Sequence, residues 1–424
     1  MGKAEEGICL VAGVSSGLLL AFSPVLWSQS VIVEVYSLNA LFQMAILLLI
    51  YMWMCRPKSD GLLWAAAFLF GLGLTNHQTL LFLGAGLAVA VLMKDTDLFR
   101  DFAVAAVLIG IPFVLAAKGV QLFANPDALA EQLRMGPEQL QRFAFDDRLW
   151  KWSVGPDTPQ FWLYNYLFLT IPVSLWVGKA TERLEWQRRL AIGAGVVLGL
   201  LALVHVGHAV CASEGAKAAE GYSANLFSLV PPVSERATPF AQWLWSAGPG
   251  SGAMAFLTLF CAVPLGLAMT KLPHARTVAV SILLAELGVA FYLYLPLASD
   301  QNPPMNWGYA RTWEGFMHAV TRGQYEAIVP TDIFSDKFIQ QLGSYLSDLR
   351  GQFTLPVAVI GFLPFCAWGF RAGGRRWSVF PAALGLALAA SALIVLETAG
   401  WSGAEALYRL LIAPVLLEIG RAHV

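Results

Sequence analysis

The stretch that decides the fold is Leu62–Met93, which reads LLWAAAFLFGLGLTNHQTLLFLGAGLAVAVLM. Its roughly 32 residues are too many for one crossing, because about 20 residues of helix span the hydrocarbon core of a bilayer. The apolar run is also interrupted near its middle by the polar sequence TNHQ at positions 75–78. The stretch therefore predicts a hairpin of two short helices that meet at a polar tip, rather than one long span.

Similar apolar blocks run along the whole chain. Of its 424 residues, 57% are hydrophobic and 13% are charged, whereas about 25% are charged in ordinary soluble domains. Since lipid offers the backbone no hydrogen-bond partner, each block must satisfy its own amides as a helix. We expect an all-α polytopic integral membrane protein with about 10–12 transmembrane helices, a re-entrant or short helical hairpin and long outer-face loops. The predicted spans are Ile8–Trp27, Val31–Met54, Leu62–Met93, Phe102–Phe123, Phe161–Val177, Leu190–Cys211, Gly252–Thr270, Thr277–Leu297, Phe353–Phe370, Trp377–Leu396 and one that begins near Ala404.

Basic residues cluster in three short connections between these spans, at positions 179–189, 271–276 and 371–376. Short basic loops favour the cytoplasmic side of a membrane. Counting spans back from these loops places Arg56 and Lys58 in the cytoplasm only if the hairpin crosses an even number of times, and its tip then faces outward. The same count places three long loops outside, where we expect the functional site. These loops are Ala124–Gln160, Ala212–Ser251 and Ala298–Gln352.

Several classes of function are disfavoured by composition. A net charge of −1 gives no overall field that would attract nucleic acid. The five cysteines are scattered without a CxxC pair, so we interpret them as small apolar residues that fill the core. His205 and His208 lie three positions apart, but a metal site needs more ligands than this pair. We predict neither a metal nor a cofactor.

The first outward turn carries the sequence WSQSVIVEVYSLNALF at positions 27–42. Glu34 and Tyr36 stand where the chain re-enters the membrane, and a carboxylate there is costly unless it is hydrated, paired or used. Alternatively, Glu34 is an interfacial residue solvated by headgroup water, and Tyr36 is an ordinary member of the aromatic belt. Spacing alone leaves both interpretations open.

The hairpin tip places Asn76 and His77 at or just inside the membrane interface. A neutral imidazole could bind a sugar hydroxyl or a phosphate oxygen, or could shuttle a proton. Alternatively, the tip is a helix cap in which Thr75 or Asn76 satisfies the free amides of the second half-helix. Capping would account for Asn76 but would leave His77 unexplained.

A third polar block, NPPMNWGYARTWEGFMHAVTRGQYE, occupies positions 302–326. Pro303 and Pro304 stiffen the exit from the preceding span and predict extended geometry at Asn302. Arg311 and Arg322 could clamp a phosphate, since the guanidinium group suits bidentate contact. A structured surface loop without a ligand is the alternative.

Taken together, the blocks WSQSVIVEVYSLNALF, GLGLTNHQTLLFL and NPPMNWGYARTWEGFMHAVTRGQY resemble recurring blocks of a bacterial membrane-protein family once filed as of unknown function. That family is related to a eukaryotic transmembrane protein O-mannosyltransferase, and both belong to the GT-C glycosyltransferases. The resemblance spans Ser23 to Glu326. It implies transfer of a sugar such as mannose from a polyprenyl-phosphate donor to a protein, glycan or lipid acceptor on the outer face of the membrane.

The resemblance also implies the residues of the site. Glu34 and His77 would be catalytic, and the other matched positions would bind substrate. These substrate-binding positions are Tyr36, Asn76, Asn302, Arg311, Arg322, Gln324 and Tyr325. We expect an inverting transfer in which a carboxylate deprotonates the acceptor hydroxyl while polyprenyl phosphate leaves. Cationic or amide groups must stabilise that phosphate, and His77, Arg311 and Arg322 are the candidates.

One departure from the family concerns the catalytic base. The family's first outer loop carries an acidic residue upstream of the block with Glu34, whereas only Glu5 and Glu6 precede the first span here, on the predicted cytoplasmic side. Either the chain is a fragment without its N-terminal spans, or the catalytic assignment fails. We expect the fragment, whose single GT-C-like domain covers 1–418. The tail IGRAHV at 419–424 reads like a translated sequencing adapter and is expected to be an artefact.

Two rival functions fit the same membrane topology. A secondary transporter would place broken helices and ionisable groups near the midplane of the bilayer, and Glu286 fits that pattern. A non-catalytic scaffold for envelope assembly would use the outer loops to bind a partner. For each of the three functions we expect a protein of the bacterial inner membrane whose long loops face the periplasm or the exterior.

Overall fold

The computed structural model describes residues 3–31, 35–56, 59–123, 159–219, 250–304, 306, 310–311 and 313–320, with isolated positions between 336 and 347. Every secondary-structure element in this described part is helical. Four stretches in it are long and apolar enough to cross a membrane. They are Tyr36–Cys55, Trp186–Leu203, Gly252–Thr270 and Ala275–Asp300. The predicted all-α membrane class is confirmed, while the total of 10–12 spans stays a prediction.

The helices are numbered here in chain order. They are α1 (Lys3–Ala21), α2 (Pro24–Val31), α3 (Tyr36–Cys55), α4 (Asp60–Asn76), α5 (Leu83–Lys94), α6 (Thr96–Phe123), α7 (Pro159–Ala180), α8 (Trp186–Ala219), α9 (Gly252–Thr270), α10 (Ala275–Val289), α11 (Tyr294–Asp300) and α12 (Trp313–Val320). Two 3₁₀ turns join neighbouring helices, Gln78–Phe82 between α4 and α5 and Ala290–Leu293 between α10 and α11.

Contacts divide the chain into two compact units. The first comprises Met1–Phe99, Leu287–Ala290 and Tyr325–Val424, and the second comprises Arg100–Glu286 and Phe291–Gln324. The candidate residues of the hairpin tip belong to the first unit. Asn302 and Arg311, in the loop after α11, belong to the second.

The predicted hairpin lies in the first unit. A Cβ added to Gly73 would collide with the side chain of Leu80, and one added to Gly84 would lie 3.6 Å from the ring of Phe70. Residues at similar distances before and after His77 are therefore neighbours, which requires the chain to reverse direction there. Helix α3 packs along α4, so the start of α3 lies beside the tip.

The N-terminal region differs from the prediction of one span over Ile8–Trp27. Helix α1 ends at Ala21, and α2 begins at Pro24 after a break. The Oγ of Ser23 accepts a hydrogen bond from the main-chain N–H of Leu26 at 3.4 Å, and proline suits the first position of a helix because its missing N–H is not needed there. Serine and proline together therefore end one helix and start the next.

Helices α7 and α9 pack closely in the second unit. A Cβ added to Gly178 would lie 2.6 Å from the Cβ of Ala268 and 2.8 Å from the main-chain oxygen of Leu265. Small residues at such contacts let helix backbones approach each other, and membrane helices associate largely through this packing. Because both contact points lie near the C-terminal ends of their helices, α7 and α9 end on the same side of the unit.

Polar contacts bring the starts of α6 and α8 to the same side of the unit. The guanidinium group of Arg189, near the start of α8, donates to the main-chain oxygen of Met269 at 3.1 Å. The carboxylate of Asp101, near the start of α6, accepts from the main-chain N–H of His274 at 2.8 Å. Two of the three basic connections thus lie at one end of the second unit, as expected if they face the same compartment. The third, at 371–376, lies outside the described residues.

Two helical segments in the second unit differ in detail from the predicted apolar spans. Helix α8 continues to Ala219 instead of ending at Cys211, because the sequence ASEGAKAA after Cys211 is rich in alanine, the strongest helix former. The predicted span Thr277–Leu297 is interrupted by the 3₁₀ turn Ala290–Leu293. Pro296 supplies no N–H to the carbonyl one turn before it and clashes with that carbonyl, which disfavours a continuous α-helix.

Candidate functional site

The hairpin tip is built around the side chain of His77. Its Nδ1 accepts a hydrogen bond from the main-chain N–H of Thr79 at 3.3 Å and lies 2.5 Å from the Oγ1 of Thr79. His77 has extended backbone geometry, so α4 stops at Asn76 and the 3₁₀ turn starts at Gln78. The cap predicted for Thr75 or Asn76 is therefore supplied by His77 itself.

Asn76 has a different task from the predicted cap. Its Nδ2 donates a hydrogen bond to the main-chain oxygen of Val35 at 3.0 Å, while the Oγ1 of Thr75 donates back to the main-chain oxygen of Leu72 at 2.6 Å. Val35 immediately precedes the first residue of α3. The tip is thus fastened to the start of α3, two segments far apart in the sequence.

The ring of Tyr36 lies against the ring of His77. Their centroids are 5.6 Å apart and their planes are inclined by 43°. His77 is only 7% exposed, so the tyrosine and the turn around Thr79 enclose most of the imidazole. Aromatic pairs at this separation are attractive beyond the area that they bury. The structure therefore brings together three of the predicted site residues, Tyr36, Asn76 and His77.

One further polar residue of α3 reaches this cluster, and a second is buried on the same helix. The Nδ2 of Asn39 lies 3.5 Å from the Oγ1 of Thr79, and Gln43 is buried one turn deeper in the helix. Sequence reasoning missed both of them. The signal was present, because two amides four positions apart in the otherwise apolar α3 share one helical face, and polar residues inside a membrane span mark functional sites.

The loop after α11 is closed by Ser299 and Asn306. The Oγ of Ser299 donates to the Oδ1 of Asn306 at 2.7 Å, and the Nδ2 of Asn306 donates to the main-chain oxygen of Ser299 at 3.1 Å. The main-chain N–H of Arg311 donates to the same Ser299 hydroxyl at 3.1 Å. Ser299 is buried, so this loop has a fixed base at which the chain leaves the span and returns.

The predicted geometry of Asn302 is wrong. Its φ is +52°, in the left-handed region, although a following proline favours extended geometry. The closure of the loop decides the conformation here, since the main-chain N–H of Asn302 bonds to the carbonyl of Ser299 at 3.1 Å. Asparagine tolerates the left-handed region better than most residues.

The remaining predicted residues divide into two groups. Arg311 is exposed at the surface of the second unit, and its position is set by the main-chain bond to Ser299. Four residues lie outside the described residues, so their predicted roles stay predictions. They are Glu34, Arg322, Gln324 and Tyr325.

The tip cluster has the chemistry of a polar binding site at the end of a membrane helix. It offers imidazole, amide, phenol and hydroxyl groups, which can exchange hydrogen bonds with hydroxyl or phosphate oxygens. Within the described ranges, no three histidine, cysteine, aspartate or glutamate side chains are grouped so that they could hold a metal ion.

Comparison with known proteins gives one match. Residues 2–99 match a family model described as the N-terminal domain of protein O-mannosyl-transferase TMEM260. No curated protein and no solved structure matches the chain significantly. The matched segment runs from α1 into the start of α6 and contains the whole tip cluster. This part of the chain is therefore similar to the N-terminal domain of a glycosyltransferase family.

Proposed function

We propose that the protein is a membrane glycosyltransferase that moves a sugar, with mannose as the first candidate, from a polyprenyl-phosphate donor to an acceptor on the outer face of the membrane. One observation carries this proposal. The segment similar to the O-mannosyl-transferase domain is the segment that folds into the cluster of Tyr36, Asn76 and His77. A cluster of polar side chains that can form hydrogen bonds with hydroxyl and phosphate groups thus lies within the region of family similarity.

The proposed reaction is a single displacement at the anomeric carbon. A carboxylate, for which Glu34 is the candidate in this segment, takes the proton of the acceptor hydroxyl. The acceptor oxygen forms a bond to the anomeric carbon while the bond from that carbon to the phosphate oxygen breaks. The electron pair leaves with polyprenyl phosphate, whose charge a hydrogen-bond donor or cationic side chain must stabilise, and His77 and Arg311 are separate candidates for that role. No cofactor takes part.

The other candidate residues would position the two substrates. Tyr36 and Tyr325 offer aromatic faces against which a sugar ring can pack. Asn76, Asn302 and Gln324 offer amides for its hydroxyl groups. Arg322 would support Arg311 at the phosphate.

The test is transfer of radiolabelled mannose from polyprenyl-phosphate mannose by the purified full-length chain in proteoliposomes. We expect His77→Ala and Arg311→Ala each to reduce turnover at least about tenfold, since hydrogen bonds to charged groups are worth about 1.5–3 kcal/mol. Suitable controls are His205→Ala on α8 and Arg188→Ala at the exposed start of α8, with membrane expression measured for all variants. Unchanged turnover in both His77→Ala and Arg311→Ala would exclude these assignments.

A transporter is the second candidate function, and one observation favours it. The span Ala275–Asp300 is interrupted by a 3₁₀ turn, and Glu286 is half-buried just before that turn. Broken helices with ionisable groups are typical of secondary transporters. Solute flux into proteoliposomes that is abolished by Glu286→Gln, together with an absence of sugar transfer, would favour this function. Transfer without flux would favour the glycosyltransferase.

A further inference from the structure

Helix α3 buries two amide side chains on one face. Asn39 and Gln43 are four positions apart, so they lie one above the other, and their exposed fractions are 0% and 2%. The next residues of this helix that are buried, Ile46 and Leu47, are apolar. Buried polarity in α3 is therefore confined to the half of the helix that begins at the hairpin tip.

These amides have more hydrogen-bonding groups than partners. Asn39 reaches the hydroxyl of Thr79 through its Nδ2 at 3.5 Å, but its Oδ1 has no hydrogen-bond partner, and neither the Nε2 nor the Oε1 of Gln43 has one. A side-chain amide is costly to bury without hydrogen bonds, and the cost is largest where neither water nor headgroups are at hand. Buried polar groups in folded proteins nearly always have partners, often ordered water.

The amide pair adjoins the tip cluster. Asn39 contacts the same Thr79 hydroxyl that lies beside the Nδ1 of His77. A molecule bound at Asn39 and Gln43 would therefore be one side chain away from the imidazole. The pair carries no net charge, so it suits a neutral ligand that both donates and accepts hydrogen bonds. A hydroxyl group has this property.

We propose that Asn39 and Gln43 form a buried binding site for hydroxyl groups next to the tip cluster. The Oε1 of Gln43 and the Oδ1 of Asn39 accept from the ligand, and the Nε2 of Gln43 donates to it. Two sources supply this chemistry, namely ordered water molecules or a hydroxyl of the donor sugar. The second source rests on the proposed glycosyltransferase function, whereas the first does not.

The experiment compares Gln43→Met with the wild-type chain in two measurements. Methionine has a similar size but no hydrogen-bonding groups of comparable strength. The first measurement is thermal stability of the protein in detergent without donor, and the second is the KM for polyprenyl-phosphate mannose. Ile46→Met is the matched control, because it places the same side chain at a buried position of the same helix.

Each outcome has a defined meaning relative to the control. If water occupies the site, Gln43→Met is no more stable than wild type and the KM is unchanged. If a sugar hydroxyl occupies the site, the site is empty without donor, and the substitution removes a buried amide that has no partner. The melting temperature without donor then rises by about 2 °C or more, and the KM for the donor rises about tenfold. A rise in melting temperature with unchanged KM would show a dry amide without a ligand and would overturn the proposal. If the wild type transfers no sugar, the proposed function fails and only the melting temperature tests the binding site. A melting temperature of Gln43→Met equal to or below that of the wild type supports bound water, and a higher one overturns the proposed site.

Discussion

The side-chain amide of Asn76 donates a hydrogen bond to the main-chain oxygen of Val35 at 3.0 Å. Val35 lies at the start of α3 and Asn76 at the end of α4, so this bond closes the pair of helices at the tip. The carbonyl of Val35 also accepts the first helical hydrogen bond of α3, from the main-chain N–H of Asn39 at 3.0 Å, and a carbonyl oxygen can accept two such bonds. The bond thus holds the end of α4 beside the start of α3, which keeps His77 next to Tyr36.

Replacement of Asn76 should loosen the tip without changing the hairpin. We expect Asn76→Ala to lower the free energy of unfolding by about 0.5–1.5 kcal/mol, the usual worth of one hydrogen bond. Asn76→Asp should cost more, because a carboxylate cannot donate and would face the carbonyl of Val35. Ser59→Ala is the control, since the side chain of Ser59 makes no capping bond at the other end of α4. Equal melting curves for Asn76→Asp and Ser59→Ala would contradict the role of the bond.

Thr79 should decide the tautomer of His77. A main-chain N–H can only donate, so the bond from Thr79 assigns the acceptor role to Nδ1 and leaves the ring proton on Nε2. Thr79→Val removes the hydroxyl partner, and we expect turnover to fall about three- to tenfold, as for the loss of one hydrogen bond. Thr79→Ser should retain activity.

Nitrogen NMR of histidine-labelled protein checks the same assignment without substrate. The His77 signals, identified with His77→Gln, should show an unprotonated Nδ1 and a protonated Nε2 in wild type and in Thr79→Ser. A protonated Nδ1 in the wild type would refute the tautomer.

Gly288 should be intolerant of any side chain. An added Cβ would lie 2.6 Å from the main-chain oxygen of Phe68 and 2.8 Å from the main-chain carbon of Gly71, and helix backbone cannot move aside as a flexible side chain can. We expect Gly288→Ala to destabilise the protein by about 1–3 kcal/mol, typical of overpacking. Gly266→Ala is the matched control, because nothing lies within 4 Å of a Cβ there. Similar melting temperatures for the two variants would argue against the close approach.

Asp101 should be the most important carboxylate at the basic end of the second unit. Its side chain is fully buried, with Arg100 2.8 Å away and the main-chain N–H of His274 as a donor. We expect Asp101→Ala to destabilise the protein by about 1.5–3 kcal/mol, because charged hydrogen bonds are lost at the start of α10. Asp101→Asn, which keeps an acceptor for His274, should cost less. A smaller loss for Asp101→Ala than for Asp101→Asn would contradict this role.

The ion pair between Lys179 and Glu182 lies at the surface and can be compared with the buried Asp101. The hydrogen bond from Lys179 lowers the pKa of the Glu182 carboxyl below its ordinary value of 4.5. A lowered pKa means that the pair stabilises the fold above about pH 4.5 and that this contribution is lost as the pH falls through the folded-state pKa. Since the pair is exposed, we expect Glu182→Gln to change the melting temperature at pH 7 far less than Asp101→Ala. A comparable loss would mean that the pair is shielded from solvent.

Cys55 is a natural labelling site that reports which side of the membrane the end of α3 faces. It is exposed at the end of α3 away from the tip and is predicted to face the cytoplasm. A membrane-impermeant maleimide should label Gln78→Cys in intact cells, in a background without other cysteines, because the tip is predicted to face outward. The same reagent should label a variant that keeps only Cys55 after the membrane is permeabilised. The reverse pattern would invert the topology and would move the proposed site to the cytoplasmic face.

The sequence by itself determined the helical membrane class and the hairpin. Both follow from local constraints, since a block without charges must form a helix in lipid and the length of Leu62–Met93 with its central TNHQ allows no single straight span. The polar character of the tip was likewise readable from Asn76 and His77. The ends of α1 and α8 were placed less well, because capping by Ser23 and helix propensity beyond Cys211 override the limits of the apolar run.

Only the tertiary structure decided what each polar side chain does. Asn76 binds Val35, and Tyr36 lies against His77, because α3 lies beside the tip, a proximity that no local pattern encodes. Asn302 adopts left-handed geometry because Ser299 closes the loop around it, against the preference that Pro303 imposes. Hydrogen bonds between residues distant in sequence depend on how helices pack, and packing is set by the whole assembly of side chains rather than by any one segment.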